Sequence, residues 1–314
     1  MKAYCFSAAL LLSSISFGQT SDTTLRRYDL NGNPIAAGSI SESKSESKDA
    51  ASGQSTRTEY GVDANGRKIP LSSLEETKSE VNGHVVTQQI IRRFDQNGGV
   101  TSTERVLSEE QKLAGGVTEK KSTVYRADLN GNEMVDQRSV TRSDERTSVT
   151  SVEKRGFDGT LALAERQSTT KETTPSGSKS QSSTFLKDNN GNLTEVVKEV
   201  HETSKQGIET VENAVKYVLQ GDGKFALRDQ TVTRSTPQAD GTVAKQIEVY
   251  GDQVPGLTNE SGKPLLKEIQ TVQSRKAADG SVVETTVSQR AEVTDNGRLG
   301  NPRLVVETVK KTGQ

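Results

Sequence analysis

Two stretches carry enough oxygen ligands to suggest cation binding: Asp128-Leu129-Asn130-Gly131-Asn132 and Asp188-Asn189-Asn190-Gly191-Asn192. A calcium loop places ligands at alternate positions and closes with a bidentate Glu near its twelfth residue. Glu133 and Glu195 stand at the wrong distance for that role, and several related stretches lose the Asn pair. Asn-Gly and Asp-Gly are better explained as hairpin turns, because the central residues of a type I′ turn need positive φ. The histidines are His84, just after a turn glycine, and His201, in a polar segment. No G-x-S-x-G elbow accompanies them, and a general base needs a defined partner and pocket. The residue types therefore suggest no catalytic, cofactor-binding or metal-binding residues and no cofactor.

What repeats is punctuation. Aromatic residues fall at Tyr28, Tyr60, Phe94, Tyr125, Phe157, Phe185, Tyr217 and Tyr250, each followed by a turn glycine: Gly32, Gly66, Gly98, Gly131, Gly159, Gly191 and Gly223, then Gly262 and Gly297 less regularly. Two markers keeping one step define about nine copies of a ~32-residue unit, a period typical of repeat architectures. A second turn series, including Ser52-Gly53, Asn82-Gly83, Gly115-Gly116, Ser176-Gly177, Gly207, Asp240-Gly241 and Asp279-Gly280, halves each unit. Each unit then holds two strands of about 12 residues, long compared with the usual 5–6.

Side-chain periodicity supports strands. In 281–293 one parity gives Val283, Thr285, Val287, Ala291 and Val293, and the other Glu284, Thr286, Ser288, Arg290 and Glu292, which is a period of two. Residues 193–205, rich in Glu and Lys, could read as helix but occupy a strand slot. Each strand offers only three to five modest apolar residues, too few for a thick two-sheet core. The expected fold is all-β: an elongated antiparallel meander of sixteen to eighteen strands, forming a single-layer or shallowly curled sheet held by cross-strand pairs. Its end strands would be open edges, liable to edge-to-edge self-association. The tracts 39–53 and 167–183 are expected to be locally loose.

Residues 1–18 read as a cleaved secretory signal: Lys2, a short apolar run from Ala8 to Leu12, and small residues before a cleavage after Gly18. The run is too short for the ~20 apolar residues of a spanning helix. The only cysteine, Cys5, lies inside it. Residues 19–314 form one repetitive β domain. The net charge of −1, from 41 basic and 42 acidic residues, gives no drive towards nucleic acid.

The pattern of Tyr28-Asp29-Leu30-Asn31-Gly32-Asn33 and Phe94-Asp95-Gln96-Asn97-Gly98 resembles the YD repeats of secreted Rhs-type proteins. That resemblance implies an exported β-repeat scaffold. The reading that follows is a non-enzymatic scaffold or binding protein with a protein or polysaccharide partner. It would be secreted, periplasmic or at the cell surface, and not integral to the membrane. Two alternatives stand beside it, an outer-membrane β-barrel and a secreted hydrolase acting on a polymer. Against the barrel, charges fall mid-strand at Arg92 or Arg93 and at Lys198 or Glu199, and the Lys310-Lys311-Thr312-Gly313-Gln314 end has no aromatic residue.

Overall fold

A computed structural model describes residues 20–313 except 30, 47–51, 64–65, 128–130, 189, 253–263 and 293–296. The signal segment and Cys5 lie outside the described residues. The first strands are β1 (Thr20–Tyr28), β2 (Pro34–Glu46), β3 (Ser52–Val62), β4 (Lys68–Val81), β5 (His84–Phe94) and β6 (Val100–Lys112). A 3-10 turn at Ala114–Gly116 leads to β7 (Thr118–Ala127), β8 (Glu133–Ser143), β9 (Thr147–Arg155), β10 (Leu161–Thr174), β11 (Gly177–Lys187) and β12 (Leu193–Gln206). The last are β13 (Glu209–Leu219), β14 (Phe225–Pro237), β15 (Val243–Gly251), β16 (Leu265–Lys276), β17 (Val282–Arg290) and β18 (Arg303–Gly313). Residues 193–205 are strand, as their place in the repeat requires.

Each strand pairs antiparallel with its sequence neighbours, and β1 pairs with both β2 and β18. The sheet is therefore a closed 18-stranded barrel, not an open meander. Closure corrects the expectation of a shallow sheet and removes the two edges on which edge-to-edge self-association depended. The closing ladder runs from Thr20↔Gly313 to Arg27↔Val306, joining segments that local pattern cannot relate. Among the described residues the buried apolar side chains are Val152, Val272 and Val283 only. Barrels of 16–18 strands enclose water rather than side chains, so scarcity of apolar residues is compatible with the fold. With strands of 9–14 residues, a rise of ~3.3 Å per residue and a tilt of about 40°, the wall stands roughly 25–35 Å high.

The repeat has a structural counterpart in every hairpin that joins an odd strand to the next even one. Each of these nine ladders has one register shift beside its last pairs, at Arg27/Tyr28, Glu59/Tyr60, Arg93/Phe94, Val124/Tyr125, Leu163/Glu165, Thr184/Phe185, Lys216/Tyr217, Val249/Tyr250 and Thr286/Val287. The other nine ladders run without a shift. Bulges increase local twist and bend the strand. Nine of them on one rim supply curvature at one height around the wall.

The turns at that rim differ from the expected type I′. Gly32 N–H donates to the Asp29 carbonyl (3.1 Å) and Asp29 N–H to the Asn33 carbonyl (2.8 Å), with Gly32 at φ +82°. These bonds close a three-residue hairpin loop that ends on a glycine in the left-handed region. The same bonds recur at Asp63/Gly66, Asp95/Gly98 and Asp188/Gly191. Among the described residues Asn82 (φ 54°) is the one non-glycine residue at positive φ, so of the Asn-Gly and Asp-Gly pairs there Asn82-Gly83 is the one with both residues in the left-handed region.

The Asp at each turn is a cap. Oδ1 of Asp29 accepts from the Asn31 and Asn33 amides (2.8 Å each), and Oδ1 of Asp95 from the Asn97 and Gly99 amides (2.8 Å each). The amide and side chain of Asn33 hold the Asp29 carboxyl below the usual carboxylate range. Amides of Arg146 and Thr147 do the same for Asp144, and the Thr160 amide and hydroxyl for Asp158.

The turn chemistry has measurable consequences. Gly98→Val forces a β-branched residue to positive φ and costs about 1–2 kcal/mol in chemical denaturation; at Gly99, outside the left-handed region, an added Cβ would instead press on the Asp95 carboxylate at 2.9 Å. Because the turn carboxyls are depressed in the folded state, their stabilisation is complete above the ordinary carboxylate pKa and is lost as pH falls through the depressed values. The denaturation midpoint is thus flat from about pH 7 to 5 and drops below about pH 4, and Asp158→Asn weakens that acid dependence.

Candidate functional site: the lumen wall and its charge ladder

Strand alternation gives the wall two faces, and exposure tells them apart. In β8, Gln137, Ser139, Thr141 and Ser143 are half-buried, while Arg138, Val140 and Arg142 between them are exposed. β1 repeats this with Ser21, Thr23 and Leu25 against Asp22, Thr24 and Arg26, and β16 with Gln270, Val272 and Ser274 against Thr271, Gln273 and Arg275. Side chains converge on the concave side of a cylinder and diverge on the convex side. The more covered set therefore faces the lumen.

Following the registers around the barrel places both signs of charge on the lumen face. The clearest constellation spans β12 to β16. Glu199 stands opposite Lys216, and Lys216 opposite Asp229. Lys216 Nζ lies 2.8 Å from Glu199 Oε1, and Lys267 Nζ 3.5 Å from Asp229 Oδ1. Lys267 is the bulge residue between Glu268 and Leu266. Its side chain passes over Gly251, the partner of Asp229, where any Cβ would collide with it. A glycine here lets the lysine reach across an intervening strand. Beside this ladder a depression of about 170 Å³ is lined by Glu199, His201, Ala214, Lys216, Asp229 and Thr231, with Val215. It sets acid and base side by side, Glu199 and Asp229 about Lys216, with His201 and the Thr231 hydroxyl beside them.

The residues singled out by sequence fall apart in space. His201 is on the lumen face of β12, opposite Ser180 and Ala214. His84 begins β5 beside the Asn82-Gly83 turn, seven strands away. Asp188 spends Oδ1 on the Asn190 (2.9 Å) and Asn192 (2.8 Å) amides, while Asp128 to Asn130 lie outside the described residues. Glu133 binds Arg105 through both oxygens (2.8 and 2.6 Å), and Glu195 binds Lys198 (3.1 Å). Among the described residues no group of three His, Cys, Asp or Glu is placed to hold a metal. The ladder itself was missed because its members are 17, 13 and 38 residues apart in sequence (199, 216, 229, 267). The signal that could have found it is the same-height position of these charges in successive strands.

Of the mid-strand charges named from sequence, Arg92 and Glu199 are paired across strands and Lys198 within its own strand. Arg92 points outward and binds Glu75. Arg93 is on the opposite parity and faces the lumen. Lys198 points outward, binds Glu195 and lies 4.2 Å over the Phe225 ring, whereas Glu199 faces inward on Lys216.

Comparison with solved structures shows what this architecture resembles. Pseudomonas aeruginosa OccK2 (OpdF) matches with a TM-score of 0.53 at 10% identity, over 94% of this chain and 96% of that one. The outer membrane protein opdK from Pseudomonas aeruginosa matches with a TM-score of 0.51 at 11% identity, over 94% and 97%. OccK10 (OpdN) gives 0.52 at 9%, over 95% and 98%. At such identities the likeness shows the fold alone. No family of known proteins and no curated protein matches the sequence.

These findings correct what the sequence led one to expect. Nothing supports the YD-repeat resemblance, which rested on turn residues that any repeated three-residue hairpin loop requires. The expectation of a secreted, periplasmic or surface protein not integral to the membrane is overturned by a closed barrel of the kind that outer-membrane proteins form. The fold supports the outer-membrane β-barrel alternative better than the extracellular scaffold.

Lys216→Met removes the cation between Glu199 and Asp229. Since these groups are about a third to a half exposed, its coupling to Glu199→Gln in a double-mutant cycle is about 0.2–1 kcal/mol. A coupling of zero would show that the ladder is not a unit.

Proposed function

We propose that this chain is a non-enzymatic β-barrel of the outer-membrane type whose polar lumen passes small hydrophilic solutes. The observation that carries the reading is a closed 18-stranded wall with no packed core among the described residues, a size class that leaves an aqueous channel. A solved OccK2 (OpdF) structure is a complex with glucuronate. In the present lumen Lys216 and Lys267 are each already matched by a carboxylate, so the wall favours general passage over capture of one anion.

The outer wall sets a condition on this reading. An uncompensated Lys or Arg at the bilayer midplane costs roughly 2–4 kcal/mol. Some of the outward charges here are compensated across strands: Arg92 on Glu75, Arg105 on Glu133 and Lys179 on Glu202 (2.6 Å). Such pairing lowers the cost without abolishing it.

Purified protein added to planar lipid bilayers is expected to give stepwise conductance with weak ion selectivity, and Lys216→Met to shift the reversal potential towards cations. Recovery of the protein from cells without detergent, together with absence of conductance steps, would overturn the proposal.

A further inference from the structure

Asn-Gly recurs in the turns of this chain, and the dipeptide has a chemistry of its own. A glycine amide, with no side chain to shield it, can attack the side-chain amide of the Asn before it. Four such pairs lie wholly among the described residues: Asn31-Gly32, Asn82-Gly83, Asn97-Gly98 and Asn190-Gly191. All four asparagines are exposed, so access to water does not tell them apart. Backbone geometry does. In three pairs the glycine N–H is already engaged, donating from Gly32, Gly98 and Gly191 to the carbonyls of Asp29 (3.1 Å), Asp95 (3.1 Å) and Asp188 (3.0 Å). The amide of the Asn is held too, by Oδ1 of the same Asp, at 2.8 Å for Asn31 and Asn97 and 2.9 Å for Asn190. Both backbone amides beside the Asn side chain are thus pinned.

Asn82-Gly83 is built differently. It fills the two-residue loop between β4 and β5, which Val81↔His84 closes. Among the described residues the Gly83 N–H donates to no backbone carbonyl. Asn82 stands at φ 54° and Gly83 at φ 76°. A side chain in the left-handed region carries strain that Asn31, Asn97 and Asn190, all outside it, do not. A short exposed turn also opens more readily than the strands that flank it. The attacking nitrogen is free at this one pair of the four.

We propose that Asn82 is a site of spontaneous covalent modification, where the Gly83 amide converts the Asn82 side chain to a carboxylate. The Gly83 nitrogen gives its proton to hydroxide and bonds to Asn82 Cγ. The Cγ–Nδ2 bond breaks, and Nδ2 takes a proton from water and leaves as ammonia. Water then opens the five-membered imide at one of its two carbonyls. One opening breaks the new bond and leaves an ordinary aspartate. The other breaks the original Asn82-Gly83 peptide link and leaves isoaspartate, with the chain now running through the side chain and one methylene longer. Water is consumed, ammonia is released, and nothing is oxidised or reduced. Each event adds one negative charge to a chain of net charge −1, at the rim where β1 begins and β18 ends. The isoaspartyl form also lengthens the tight loop that joins β4 to β5.

The test is peptide mapping by mass spectrometry after the folded protein, in detergent micelles, has stood for weeks in mildly alkaline buffer made with heavy-oxygen water. The Asn82 peptide is expected to convert from amide to acid with heavy oxygen incorporated, largely as isoaspartate, and several-fold faster than the peptides of Asn31, Asn97 and Asn190. In urea, where the turn bonds are gone, all four are expected to convert at similar rates. Asp95→Ala removes the carboxylate that holds the Asn97 and Gly99 amides and is expected to raise conversion at Asn97 while leaving Asn82 unchanged. Conversion at Asn82 no faster than at the other three in the folded protein overturns the inference. So does an Asn82 that leads by the same margin in urea, because flanking sequence and not the fold would then set the rate.

Discussion

Cohesion in this protein rests on the closed cross-strand ladder. With three buried apolar side chains among the described residues, there is no interior to pack, so apolar burial, the largest driving force in most folds, is small here. Backbone hydrogen bonds and face-by-face side-chain pairs take its place, each pair contributing about 0.2–1 kcal/mol. Such a sheet is stable only if no strand is left half-satisfied. The β1–β18 pairing meets that condition, binding Arg26 to Glu307 (3.2 Å) and setting Asp22 beside Lys311 at the seam.

Closure also depends on where curvature is stored. The nine bulges stand one per hairpin, each beside the repeat's aromatic residue or, in two hairpins, where an aliphatic residue takes its level. A bulge adds a residue to the even strand. Lys267 uses that displacement to reach Asp229, and Asp136 to meet Arg126 at 3.1 Å. In these two hairpins the irregularity that shapes the rim also brings charge to the lumen face.

Polarity on both faces is the unusual property of this wall. The lumen face carries Glu199, Lys216, Asp229 and Lys267, and the outer face carries Glu75, Arg92, Arg105 and Glu133, largely in matched pairs. Matching explains how a chain so rich in charge has a net charge of −1 and why neither face presents a single-sign field. Apolar and aromatic residues are concentrated instead at one level of the outer face, where most face an apolar partner across a hairpin.

By itself the sequence determined the strand class, the nine hairpins and the turn positions, because period-two alternation and glycine punctuation are local properties. It also placed Tyr125 and its counterparts beside the turns. It misjudged the turn type, since Asn-Gly suits both a two-residue loop and the end of a type I turn, and the Asp29 carboxylate bonds that choose between them are visible only in the fold. Closure into a barrel was not legible, because it depends on twist accumulated over eighteen strands and on a pairing between the two ends of the chain. The charge ladder was hidden for the same reason: Glu199, Lys216, Asp229 and Lys267 become neighbours only when register sets them at one height. Only the tertiary structure decided which face of each strand meets the lumen, because alternation defines two faces but curvature alone makes one of them the inside.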